Sequence, residues 1–102
     1  MTYQDQLDSF FVSKATILLR EIAHWTHTKS MLCEITKQYR CYWISFSHNS
    51  IFYVCVEILL NEISVMAKVK EAEDMALAIG SALRCQVYDL DDILMRDFTH
   101  QG

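Results

Sequence analysis

Apolar residues recur at Leu7, Phe10, Phe11, Ala15, Leu18, Ile22 and Trp25, in steps of three and four with one repeated position. That spacing lays one stripe along a helix of period 3.6, so the chain from Gln4 to about Trp25 is predicted as a first helix. Asp5 and Asp8 fall in its first turns, where carboxylates complement the helix dipole. Beyond it the period shortens to two. Met31, Cys33 and Ile35 alternate with polar neighbours, although Leu32, Ile35 and Tyr39 also share one helical face, so Leu32–Tyr39 reads as either strand or short helix. Tyr39–Ser47 is rich in aromatic and β-branched residues and is predicted as a strand. His48-Asn49-Ser50 then punctuates the chain as a turn.

Both parities of Ile51–Leu60 are apolar except at Glu57, the mark of a strand central in its sheet. Asn61-Glu62 makes the next turn. Ile63, Val65, Ala67 and Val69 alternate with Ser64, Met66, Lys68 and Lys70, as in a strand with one wet face. Tight turns between these strands specify an antiparallel meander of three to five strands. From Glu71 the helical period returns in Ala72, Met75, Ala76, Ile79 and Leu83, with Glu71, Glu73 and Asp74 in the first turn. Gly80 interrupts that stripe at a cost of about 1 kcal/mol relative to Ala, and close packing is the reason expected for it. Gln86–Leu90 is predicted as a short strand, and Asp91 as the N-cap of a final helix over Asp92–Phe98. The order of elements predicts one α+β domain spanning residues 1–102, with helices on the sheet's apolar face.

Composition narrows the chemistry. The 102 residues contain two glycines and no proline. Phosphate-binding glycine loops, dinucleotide fingerprints and the Gly-x-Ser-x-Gly elbow are therefore excluded. The N-terminus opens on polar residues without a leader pattern, and the longest apolar run falls well short of the roughly 20 residues that span a bilayer. A cytoplasmic protein without membrane contact is expected, and its four cysteines, Cys33, Cys41, Cys55 and Cys85, are then expected to be reduced. They form no Cys-x-x-Cys pair with metal-ligand spacing.

The remaining candidate chemistry has a plain alternative in each case. His24 and His27 share a helix face but lack a third ligand nearby. Cys41 and His48 are an odd number of residues apart, so one strand would turn them to opposite faces. Cys55 lies among apolar residues that make a thiol inert. Arg40, Tyr42, Trp43 and Phe46 interleave a base with aromatics as a nucleic-acid platform does, yet core packing, or an exposed aromatic at a protein interface, accounts for them as well. Asp89-Leu90-Asp91-Asp92 offers spaced oxygen ligands, but it lacks the glycine and distal glutamate of a calcium loop. No catalytic residue, metal or cofactor is expected.

Charge is spread unevenly. Residues 1–70 hold 7 basic and 6 acidic groups, whereas residues 71–102 hold 2 basic and 7 acidic ones, within an overall net charge of −4. A net acidic chain argues against a nucleic-acid partner. The acidic C-terminal third suits a basic protein partner instead, and Glu71, Glu73, Asp74, Tyr88, Asp89, Asp91, Asp92 and Asp97 are the candidate contact residues. Two functions remain open: a protein-binding module, as a monomer or weak dimer, and a small enzyme or ligand-binding regulatory domain. A deep polar pocket would favour the second.

In size, acidity and the segments Glu71-Ala72-Glu73-Asp74 and Asp89-Leu90-Asp91-Asp92, the chain resembles the immunity proteins of bacterial toxin systems, particularly those of contact-dependent growth inhibition. The resemblance implies tight binding to one cognate toxin, often a nuclease, by covering its active site or a nearby surface.

Overall fold

A computed structural model describes residues 2–29, 32–47, 51–59 and 62–100. Expectations that fall on Met31, His48-Asn49-Ser50, Leu60, Asn61 and the side chains of Leu7, Phe46, Ile51 and Phe52 lie outside the described residues. The first helix, α1, runs over Tyr3–Lys29. It starts two-sided: Thr2 Oγ1 accepts from the Asp5 amide at 3.1 Å, and Asp5 Oδ2 accepts from the Thr2 amide at 3.2 Å. This reciprocal cap satisfies two donors that a helix start otherwise leaves unpaired. The expected stripe is the buried one, with Phe11, Ala15, Leu18 and Ile22 in the core and Phe10 and Trp25 packed at its margin.

Four strands follow as a meander: β1 (Leu32–Gln38), β2 (Cys41–Ser47), β3 (Ile51–Leu59) and β4 (Glu62–Ala67). β1 is thus a strand, paired along its length with β2. A short 3-10 turn over Lys70–Ala72 leads into helix α2 (Glu73–Leu83). The chain then returns as β5 (Gln86–Tyr88), which lies parallel to β4, and β6 (Leu94–Asp97), which lies antiparallel to β5. The result is an α+β fold with one six-stranded sheet in sequential order. Both helices pack on one face of it. From the sheet that face supplies Tyr42, Ile44, Val54, Val56, Ile58, Val65, Ala67 and Val87 to the core.

One expectation is corrected. The final helix over Asp92–Phe98 does not form, and Asp91 caps nothing; most of that segment is β6. Asp89 decides this locally. Its Oδ1 accepts the amides of Asp91 at 2.9 Å and Ile93 at 3.0 Å, while Asp92 sits in the left-handed region at φ 61°. Those donors and that dihedral are lost to a helix beginning at Asp92. Tertiary pairing completes the change, because Phe98 donates its amide to the Cys85 carbonyl and buries its ring under α2. β3 is central in the sheet, as expected, and on it Val54, Val56 and Ile58 are fully buried, whereas Cys55 is half-buried and Tyr53 and Glu57 are exposed.

α2 stops by geometry. Arg84 takes the left-handed conformation at φ 56°, and the Cys85 amide returns to the Gly80 carbonyl at 3.1 Å. This is the closing pattern usually built on glycine. Lys14 of α1 adds a donor to the Leu83 carbonyl at 3.5 Å.

Candidate partner-binding surface

The parallel register between β4 and β5 sets where the acidic residues meet. Met66 faces Tyr88, so both strands end at the same edge of the sheet. From β4 the chain passes there into Glu71 and then Glu73 and Asp74, at the start of α2. From β5 it passes there into Asp89, Asp91 and Asp92. Six of the eight residues singled out in the sequence therefore gather at one end of the β4–α2–β5 unit, where Lys68 and Lys70 are the cations of the same junction. Glu73 and Asp74 also occupy the first turn of α2, so they stabilise the helix whatever else they do.

The loop from Asp89 to Ile93 is the most built part of this end. Besides the two amides on its side chain, Asp89 donates its own amide to the Ile93 carbonyl at 2.9 Å, and its carbonyl accepts the Asp92 amide at 3.1 Å. Four hydrogen bonds thus close a turn of five residues around one carboxylate. The turn leaves its aliphatic side chains outside: Leu90 is 49% exposed and Ile93 60%, followed by Leu94 at 47%. Asp91 and Asp92, both exposed, stand between them. The arrangement is a small apolar centre with a charged rim, the anatomy of protein interfaces. Sequence reasoning missed Leu90, Ile93 and Leu94 because it assigned the latter two to a helix; the signal available was three aliphatics within an acidic, turn-forming stretch.

Tyr88 and Asp97 belong to a different group. Tyr88 donates its hydroxyl to Gln86 Oε1 at 2.7 Å, and Gln86 Nε2 donates to Asp97 Oδ2 at 3.2 Å. The Thr99 hydroxyl and amide bond the other Asp97 oxygen. These donors, Thr99 first, hold the Asp97 carboxyl down at about 2. Asp97 is thus tied into a surface ladder on the uncovered sheet face, opposite Gln86 at the end of β5 away from the acidic loop.

The other candidates separate. Tyr42 is buried and stacked on Phe11 at 5.9 Å between centroids, whereas Trp43 lies on the opposite face under the Lys68 ammonium. Arg40 pairs with Asp8 at 3.6 Å and covers the Phe11 ring. No common platform for bases results. His24 and His27 are both exposed on α1 and find no third ligand among the described residues. Burial pushes the Cys85 thiol up to about 12 and that of Cys55 up to about 11. Among the described residues no helix is long and apolar enough to cross a membrane. Comparison with protein-family models, with curated proteins and with solved structures finds no match for this chain.

Proposed function

We propose that the protein is a binding module that neutralises a cognate toxin, in the manner of an immunity protein, and acts by contact rather than by catalysis. The observation that carries this reading is the closed Asp89–Ile93 turn, which holds Leu90 and Ile93 outward beside Asp91 and Asp92. A loop already fixed in one shape spares the ordering cost of about 0.5–1.5 kcal/mol per immobilised side chain that a mobile loop would meet on binding. The carboxylates specify a basic partner. A nuclease toxin fits, because its cleft is positively charged to hold phosphate, and carboxylates compete there for the same cations. Glu71, Glu73 and Asp74 extend the acidic surface from the loop to α2. On this reading the protein works in the cytoplasm, beside the toxin's target, as a monomer or weak dimer.

The test is co-expression with the protein encoded next to it. Growth arrest by that neighbour should be relieved by the wild-type chain and restored by the pair Leu90→Ala and Ile93→Ala, with the variant's circular dichroism unchanged. In a salt series, Asp91→Asn with Asp92→Asn should slow association and leave dissociation nearly unaltered. A neighbour that is harmless alone, or protection that survives the loop variants intact, refutes the assignment.

A further inference from the structure

The sheet has two edges, and they are defended unequally. β6 is four residues long, pairs with β5 through a register shift and carries Arg96 and Asp97. Short, irregular and charged edges of this kind resist pairing with another chain. β1 is seven residues long, pairs with β2 without a break and contains no proline or glycine. Its residues from Glu34 to Gln38 are all exposed. The groups it turns outward follow from the neighbouring strands. The Arg40 carbonyl accepts the Ile58 amide at 3.0 Å, so Arg40, and with it Tyr42 and Ile44, direct their backbone groups to β3. Cys41, Trp43 and Ser45 direct theirs to β1, where they meet Gln38, Thr36 and Glu34. The N–H and C=O groups of Ile35 and Lys37 therefore point away from the sheet, and no strand lies beyond them among the described residues. The Lys37 ammonium is folded back over the Phe11 ring, 4.9 Å from its centroid, and does not screen this edge.

We propose that β1 pairs antiparallel with β1 of a second copy, about a two-fold axis at Thr36, so that two sheets join into one. The edge is complementary to itself in this register. Ile35 stands opposite Lys37 of the second copy, and Lys37 opposite its Ile35. Each opposed pair exchanges two hydrogen bonds, which satisfies every outward N–H and C=O of both residues. On the open face Thr36 meets its own counterpart, a favourable cross-strand pair, and each Glu34 carboxylate accepts from the Gln38 amide of the other copy. On the helix face the two Ile35 side chains, each 39% exposed, become diagonal neighbours beside the groove that Leu19 and Ala23 of α1 line. Charge does not oppose the contact. The excess of carboxylates lies in residues 71–102, whereas residues 1–70 hold 7 basic and 6 acidic groups. One strand and the flank of one helix supply fewer than the roughly 20–30 residues a side of a standard interface, so the dimer is a weak one.

β1 is the sheet edge far from β5 and β6, so the pairing leaves both Asp89–Ile93 loops outward and holds or fails independently of the toxin-binding reading. Sedimentation of the isolated protein between about 1 µM and about 1 mM should raise its mass from 11.9 kDa toward twice that value. Ile35→Pro deletes an amide that β2 does not use, so this variant should keep its circular dichroism and remain a monomer throughout the range. Thr36→Cys should oxidise to a dimer linked through residue 36, identified by mass spectrometry. A non-hydrogen-bonded pair holds its Cα atoms about 4.5 Å apart, within disulfide reach. Glu34→Cys should not link to itself, because four residues of strand, about 14 Å, separate the two copies of that position. These two cysteine variants decide the matter even if Ile35→Pro unfolds. A monomer at every concentration, a dimer that persists in folded Ile35→Pro, or linkage of Glu34→Cys as readily as of Thr36→Cys would each overturn the proposal.

Discussion

Replacing Gly80 with Ala tests the packing that sets the position of β5 and β6. A Cβ on Gly80 would lie 2.0 Å from Val87 Cγ2 and 3.4 Å from Phe98 Cδ2. Carbon atoms in contact sit about 3.5–4.0 Å apart, so the Val87 methyl would have to move by roughly 1.5 Å. It has nowhere to go, since Val87 is fully buried, β-branched and held in the sheet between Val65 and Arg96. Overpacking of this kind costs about 1–3 kcal/mol. The better helix propensity of Ala returns about 1 kcal/mol. With an overlap this deep the steric cost prevails, and Gly80→Ala should destabilise the protein by about 2 kcal/mol, a large share of the 5–15 kcal/mol typical of a domain. Val87→Ala alone should also cost about 2 kcal/mol through the cavity it leaves. Combined, the new methyl occupies that cavity, so the double variant should be more stable than the summed losses by about 1–2 kcal/mol. Urea unfolding followed by circular dichroism reads all three. A Gly80→Ala protein as stable as the wild type, or strict additivity in the double variant, would refute the close-packing account.

Three further outcomes follow from individual groups. Asp89→Ala removes the acceptor for the Asp91 and Ile93 amides and should cost about 1–2 kcal/mol in urea unfolding, whereas Asp91→Asn and Asp92→Asn should stay within about 0.5 kcal/mol. The Asp97 carboxyl, held at about 2 by Thr99 and Gln86, stabilises the folded state above the unfolded carboxylate value, and that contribution is lost as pH falls through about 2; Asp97→Asn should flatten this acid limb of the stability curve. The Cys85 thiol, pushed up to about 12 chiefly by burial, favours folding fully below its unfolded value of about 9, a contribution lost as pH rises from there through about 12. Cys85→Ala should therefore lose less stability than the wild type on passing from pH 8 to pH 11 in the same assay.

Where local pattern and tertiary need agree, the elements were legible. The stripe from Phe10 to Trp25 has only one helical reading, and the alternation at Ile63, Val65 and Ala67 only one strand reading. Leu32–Tyr39 was ambiguous because its apolar residues satisfy both periods; seven pairings with β2 resolve it. The last element was misread because Asp followed by Leu, Met and Arg has the cap and propensity of a helix. Its competitors are a carboxylate two residues before the expected cap, and a ring whose place lies against Gly80, far off in sequence. The wet face of β4, with Met66 on it, was legible from its alternation, whereas Trp43 and Cys55, in register with Met66 on the same face, look like core by composition. The acidic cluster was legible as charge. Its convergence was not, since the meeting of Glu71–Asp74 with Asp89–Asp92 depends on one parallel register.

That register also explains why the loop can be both exposed and fixed. A parallel pair needs a crossover, and α2 supplies it, so β5 is aligned by a helix rather than by a tight turn. The alignment is enforced from three sides: Arg84 in its left-handed stop aims the chain at β5, Gly80 lets Val87 approach α2, and Phe98 closes the far end through the Cys85 carbonyl. Together they fix both ends of the Asp89–Ile93 turn, and the Asp89 carboxylate fixes its middle. Leu90 and Ile93 then have no core to enter, because the core under α2 is already filled by Val87 and Phe98. Their exposure is thus enforced by packing elsewhere rather than left by slack in the loop, and burying them requires a surface from outside the chain.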